Sequence, residues 1–206
     1  MAYFLNIDEK KECNDKHYFN KHLGMNVVKV YSGDCCVTNS ENELMVTILG
    51  SCISACIRDV EKEIGGMNHF LLPYSEAMDN SSMRYGAYAM ESLINAITNL
   101  GGEKKNLEIK LFGGANVIAN SKEIGKRNCE FVESYLEKEG LPCDSKHVGG
   151  SAARRIHYYP TTGKVMMKIV EDNHDYLELE QQEKNYKMKL DKKNKNHKID
   201  GSVELF

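Results

Sequence analysis

The chain predicts an α+β fold, with helices packed on a layered, mixed β-sheet. Three observations carry that prediction. Short, apolar, β-branched runs crowd the region before residue 73. Two later stretches place apolar residues at spacings of three and four, the mark of amphipathic helices. A strand with alternating polarity separates those helices, and a hairpin pattern follows them, so the order is strands, helix, strand, helix, strands.

Residues 1–25 are polar, mixed in charge and without a sustained period, and read as a loosely held arm with at most a short helix. Residues 26–31 (Asn-Val-Val-Lys-Val-Tyr) alternate like a strand. Residues 32–43 read as a loop by their Gly, Asp, Ser and Asn content, interrupted by Cys35-Cys36-Val37. Residues 44–49 form a nearly continuous apolar run, the first buried strand, which Gly50 ends. Residues 53–57 are again apolar and short. Residues 60–64 turn the chain, and strand character resumes over 67–72 until Pro73.

Residues 74–83 read as a flexible polar loop. From Arg84 the period changes: Tyr85, Tyr88, Ala89, Leu93, Ala96, Ile97 and Leu100 share one helical face, and Gly101-Gly102 stops it. Residues 107–112 (Leu-Glu-Ile-Lys-Leu-Phe) alternate as a half-buried strand running into Gly113-Gly114-Ala115. A second helix spans about 121–139, with Ile124, Cys129, Val132, Tyr135 and Leu136 inward. Residues 153–159 and 164–170 form a hairpin around Pro160-Thr161-Thr162-Gly163. Beyond Val170 the chain is charged and polar, and is expected to be an exposed tail. The organisation is an arm (1–25), one domain (26–170) and a tail (171–206).

Composition excludes several classes. At 206 residues the chain suits one domain with a substantial core. A net charge of −3 argues against neutralising nucleic-acid phosphates. Nothing approaches the roughly 20 apolar residues of a membrane span, and the charged first residues do not resemble a signal peptide. Seven cysteines without a repeated Cys-x2-Cys argue against structural zinc and for a reducing, cytoplasmic setting. The Gly pairs at 113–114 and 149–150 match no phosphate loop. They read as close-approach turns lining a cleft. Arg154-Arg155 and the basic run 184–198 read as solvated surface.

The chemistry concentrates between residues 47 and 73. Gly50-Ser51 make a sterically open turn that presents Cys52 and directs backbone N–H groups at one spot, as an oxyanion hole requires. Cys56, in a denser apolar setting, reads as a core residue. An imidazole makes a thiol a nucleophile by taking its proton. His17, His22, His174 and His197 sit in polar segments that cannot hold catalytic geometry. His147 and His157 are rivals, but His69 is closest in sequence to Cys52 and follows a Gly65-Gly66 turn. Thr47, Asn68 and Asp59 are the candidates to orient its ring, and the residues alone do not choose among them.

The motifs Thr-x-Leu-Gly-Ser-Cys (47–52), Gly-Gly-Met-x-His-Phe-x-Leu-Pro (65–73) and Arg-Tyr-Gly-x-x-Ala-Met (84–90) resemble the chemoreceptor glutamine deamidase family, CheD. So do Phe-Gly-Gly-Ala (112–115), Ile-Gly-x-Arg-Asn (124–128) and the Gly-Gly then Arg of 149–155. The resemblance covers about residues 25–170. It implies a fold like that of the deamidating bacterial toxins and a cytoplasmic chemotaxis enzyme. That enzyme hydrolyses glutamine side-chain amides on methyl-accepting chemoreceptors, without metal or cofactor. It implies a catalytic set on Cys52, His69 and Thr47, to which the residue chemistry above adds Gly50 and Ser51 at the oxyanion and Gly113 and Gly114 along the cleft. It also implies a CheC-type phosphatase as partner. The alternative is a non-catalytic adaptor that binds receptors or that phosphatase.

Overall fold

The computed structural model describes residues 3–6, 17–72, 80–117 and 122–170, with the single positions 181 and 188. The expectations for the tail, and for most of the loop before the first helix, lie outside the described residues. Eleven strands are described: β1 Tyr3–Asn6, β2 His17–Asn20, β3 Met25–Lys29, β4 Asp34–Thr38, β5 Glu43–Leu49, β6 Ile53–Asp59, β7 Ile64–His69, β8 Leu107–Gly113, β9 Ser145–Val148, β10 Arg154–Tyr159 and β11 Lys164–Ile169. The helices are α1 Asn80–Asn99 and α2 Lys122–Lys138.

The strands form two sheets. One runs β1-β4-β7-β6-β8-β9 and the other β11-β10-β5-β3-β2. Both are mixed: β8–β9 and β3–β5 pair in parallel, and the remaining pairs are antiparallel. Alternation along the strands gives each face of the six-stranded sheet its own core. Cys35, Ile53, Ala55, Ile57, Phe70 and Leu111 pack on one face with α1 and α2 residues such as Leu93, Ile97, Val132 and Leu136. Cys36, Cys52, Cys56, Met67 and Phe112 pack on the other with Met45, Leu49, Ile156 and Tyr158 of the second sheet. The molecule is therefore layered as helices, sheet, sheet, within the expected α+β class.

Three differences from the sequence reading have physical causes. First, residues 34–38 are the buried strand β4 rather than loop, paired with β7 from Asp34↔His69 to Thr38↔Gly65. Its acidic and hydroxyl ends mask a fully buried Cys-Cys-Val centre. Second, the arm contributes β1 and β2 to the sheet edges, where one-sided pairing needs no apolar period. Third, Gly65-Gly66 is not a turn. Both glycines lie inside β7, where a Cβ on Gly65 would strike the Pro160 carbonyl and one on Gly66 the Cys36 carbonyl. The turn comes earlier, at residues 60–63, and leaves Glu63 at φ 55°. Ser145–Val148 also forms an exposed edge strand that its polar sequence did not announce.

Candidate active site

Cys52 sits one residue before β6 begins, in a bend whose three carbonyls are all held from outside. The Gly50 carbonyl accepts from Ala115 N–H at 2.7 Å and the Cys52 carbonyl from Gly114 N–H at 2.7 Å. The Ser51 carbonyl accepts from Asn128 Nδ2 at 2.7 Å. Gly113 and Gly114 adopt φ of 113° and 66°, open to glycine at little cost. A Cβ on Gly113 would overlap the Cys52 carbonyl, and one on Gly114 the Cys129 sulfur. The Gly149-Gly150 loop backs this region: Gly149 N–H donates to the Gly113 carbonyl and Asn116 N–H to the Gly150 carbonyl, at 2.9 and 2.8 Å. Beneath that loop the buried Arg154 guanidinium donates to the carbonyls of His147, Gly149 and Ala152.

His69 ends β7, and the backbone beyond it stays in register with β6 through mutual hydrogen bonds between Ile53 and Phe70 at 2.9 Å. Its ring reaches across the inter-sheet gap to β5, where Thr47 Oγ1 lies 2.9 Å from His69 Nδ1. The Thr47 hydroxyl donates its own proton to the Val30 carbonyl at 2.7 Å. It therefore receives, rather than gives, the hydrogen bond with Nδ1. The ring proton sits on Nδ1, with the Val30 carbonyl 3.3 Å away as a second acceptor. That leaves the lone pair on Nε2, a buried atom with no hydrogen-bond partner among the described residues. Burial pushes the imidazole down to about 4, against a smaller upward pull from the Val30 carbonyl. At neutral pH the ring is an uncharged base with a fixed tautomer.

The segment after β3, where the sequence reads as the end of a strand at Val30-Tyr31 and then a loop, meets Thr47, His69 and Cys52. Val30 supplies the carbonyl for Thr47 and His69, Gly33 N–H donates to the His69 carbonyl at 2.7 Å, and Ser32 Oγ lies 3.8 Å from Cys52 Sγ. Asp34 Oδ2 closes the turn by accepting from Tyr31 N–H at 2.9 Å. No local sequence signal marks these contacts. Asn128 did carry one: it lies in step with the inward residues of α2, where a polar side chain is out of place.

The other candidates fall elsewhere. Asn68 uses its amide to accept from Ala55 N–H and donate to the Ala89 carbonyl, tying β6 to α1. Asp59 closes the far end of β6. Burial works against its charge, but N–H groups of Glu103, Lys62 and Glu61 outweigh that and hold the carboxyl below its usual range. His157 alternates with Ile156 and Tyr158 of the inter-sheet core, so its ring faces the opposite side. His147 is exposed and lies 3.0 Å from Arg154 Nη1. A hollow of about 40 Å³ opens behind Thr47 between Lys29, Tyr31 and Arg155. A larger groove, about 560 Å³, runs between α1 and α2 past Arg84, Glu91, Tyr135 and Lys138, apart from Thr47, Cys52 and His69. Among the described residues no group of His, Cys, Asp and Glu is placed to hold a metal ion, and no helix is long and apolar enough to cross a membrane.

A family model described as CheD chemotactic sensory transduction matches residues 71–169. A protein of Rhodopseudomonas palustris (strain BisA53), named probable chemoreceptor glutamine deamidase CheD, is 43% identical over 199 residues, covering 93% of this chain and 89% of its own. A protein of the same name from Hahella chejuensis (strain KCTC 2396) is 44% identical over 194 residues, covering 92% and 89%. A crystal structure of a Neisseria meningitidis protein of the DUF152 family is a distant likeness, with a TM-score of 0.39 at 11% identity over 64% of this chain and 65% of its own. Identity of this extent, over nine-tenths of the chain's length, makes the chain a member of the CheD family.

Proposed function

We propose that this chain is a protein-glutamine glutaminase that converts glutamine side chains of methyl-accepting chemoreceptors to glutamate. Cys52 is its nucleophile, His69 its acid–base and Thr47 the orienter of the ring. The observation that carries the reading is the Val30–Thr47–His69 chain of hydrogen bonds. It fixes a neutral imidazole with its basic Nε2 unengaged, in a site that also holds a rigidly clamped Cys52 turn. The names of the relatives supply the substrate class.

The steps follow from these groups. His69 Nε2 takes the Cys52 thiol proton, and sulfur adds to the glutamine carboxamide carbon. Backbone N–H groups of the Gly50-Ser51-Cys52 turn, in the cleft walled by Gly113 and Gly114, stabilise the oxyanion. As the tetrahedral intermediate collapses, the C–N bond breaks and His69 returns the proton to departing ammonia. Water, deprotonated by the same nitrogen, then splits the thioester to glutamate and regenerates the thiol. Thr47 is neutral, so it positions the imidazole without stabilising its charged form as a carboxylate would. The carboxylates produced change repulsion along the receptor helices at i,i+4 spacing.

In this reading the enzyme works in the cytoplasm, residues 26–170 form its catalytic domain, and a CheC-type phosphatase is its second partner. The test is intact-mass analysis of a receptor cytoplasmic fragment incubated with the protein. A gain of about one dalton per site, absent with Cys52→Ala and His69→Ala, is expected for thiol-dependent amide hydrolysis. An unchanged mass with stable complex formation would instead identify an adaptor.

A further inference from the structure

We propose that Asn128 is a positioning residue for the oxyanion-stabilising step, acting through the Ser51–Cys52 peptide. The proposal rests on the assignment of Cys52 as nucleophile and adds a residue to it. Asn128 is fully buried on α2, on the side that carries Phe131, Val132, Tyr135 and Leu136 into the helix-side core. An amide placed there costs stability unless both of its ends are bonded. Both are: Nδ2 donates to the Ser51 carbonyl at 2.7 Å, and Oδ1 accepts from Leu72 N–H at 3.1 Å. One partner is an acceptor and the other a donor, so the amide fits in one orientation only. A flipped amide would set oxygen against the carbonyl and nitrogen against the N–H.

The bond to Ser51 sets more than a loop. In a planar trans peptide the carbonyl and the following N–H point in opposite directions. The Ser51 carbonyl points toward α2, on the helix side of the six-stranded sheet. The Cys52 N–H therefore points away from the Asn128 amide, and the Cys52 side chain joins the inter-sheet core, where Ser32 approaches its sulfur. His69 meets Thr47 of the second sheet on that same side. Asn128 thus aims a backbone donor toward the space where an oxyanion forms on a carbon bonded to Cys52. Of the three clamps on the turn, those on Gly50 and Cys52 use backbone N–H groups and this one uses a side chain. It is the clamp that a substitution can remove.

Two reactions of the same thiol separate this role from nucleophile activation. Iodoacetamide alkylates a thiolate at a saturated carbon and develops no oxyanion, whereas amide hydrolysis does. In Asn128→Ala, kcat for deamidation of a receptor fragment is expected to fall about 100-fold, with KM and the alkylation rate of Cys52 each within about threefold. Asn128→Asp provides a conditional rescue. Protonated, its carboxylic acid repeats the donor to Ser51 and the acceptor for Leu72; ionised, it loses the donor. Its kcat is expected to recover toward wild type between pH 8 and pH 6, with no matching change in alkylation. Parallel loss of alkylation and deamidation, a flat pH response of the Asp variant, or loss of folding in both variants would overturn the proposal and leave Asn128 a structural staple. If the wild-type protein is alkylated at Cys52 but deamidates nothing, it is the functional reading that fails.

Discussion

Cys52 and Cys56 lie four residues apart, are both buried and share the inter-sheet core, yet their surroundings differ in kind. Cys56 is inside the ladder, with Met67 of β7 on one side and Lys110 of β8 on the other. Burial pushes its thiol far up, and Lys110 and Ser54 pull it back only in part. The Ser54 proton is committed to the Asn68 carbonyl at 2.5 Å. Cys52 stands just outside the same ladder, beside Ser32 and in a bend whose carbonyls are held from α2 and the β8–α2 connection. Residue type and apolar setting do not distinguish the two positions; the place where strand pairing stops does.

The comparison breaks most visibly if the two thiols are exchanged in importance. Cys52→Ala is expected to lower kcat by at least about 10³-fold, whereas Cys56→Ala leaves it within about threefold. The second variant should instead lose about 1–2 kcal/mol in urea denaturation, as expected for a small void in the core. Equal losses of activity would place both cysteines in the mechanism.

His69 joins the comparison through pH. Burial holds its imidazole at about 4, against an ordinary value of 6.5. Between these values the unfolded chain binds a proton that the folded chain does not, so stability rises with pH across that window. The contribution is fully present above about pH 6.5 and about 3 kcal/mol of it is gone by pH 4. Urea titrations of wild type at pH 7 and 4.5 should show that slope, and His69→Gln should lack its share. The acid limb of kcat/KM is likewise expected well below pH 6.5.

Thr47→Val removes both the acceptor for Nδ1–H and the donor to Val30. We expect kcat to drop about 100-fold, with Thr47→Ser restoring most of it. The smallest effect belongs to Ser32→Ala, which removes the hydroxyl beside Cys52 Sγ and should slow iodoacetamide alkylation about threefold. If alkylation is unchanged, the reactivity of Cys52 owes nothing to that contact.

The strongest elements were legible because local pattern and final burial agree in them. The apolar run that became β5, the alternation of β8 and the stripes of both helices each report their own environment. β4 was not legible, because its polar ends, Asp34 and Thr38, are buried while their side chains accept from the nearby Tyr31 and Ser40 N–H groups, and only pairing with β7 makes the segment a strand. The site divides in the same way. The bend before Cys52 is a local property and could be read from Gly50 and Ser51; the full burial of the thiol could not, and it corrects the expectation of an open turn. The Val30 carbonyl, Ser32 and Asn128 take part only because strands and a helix distant in sequence meet there. Gly65-Gly66 misled because glycine serves both turns and crowded ladders, and only the Pro160 and Cys36 carbonyls decide between them.

The hydrogen bond from Asn128 to Ser51 spans 77 residues of chain. In a polypeptide made from its N-terminus, the Cys52 bend emerges long before the amide that holds its Ser51 carbonyl. Until α2 docks, the Cys52 bend lacks one of its clamps. On the proposed reading, the Cys52 site is completed late in folding, when the helical layer closes over the sheet.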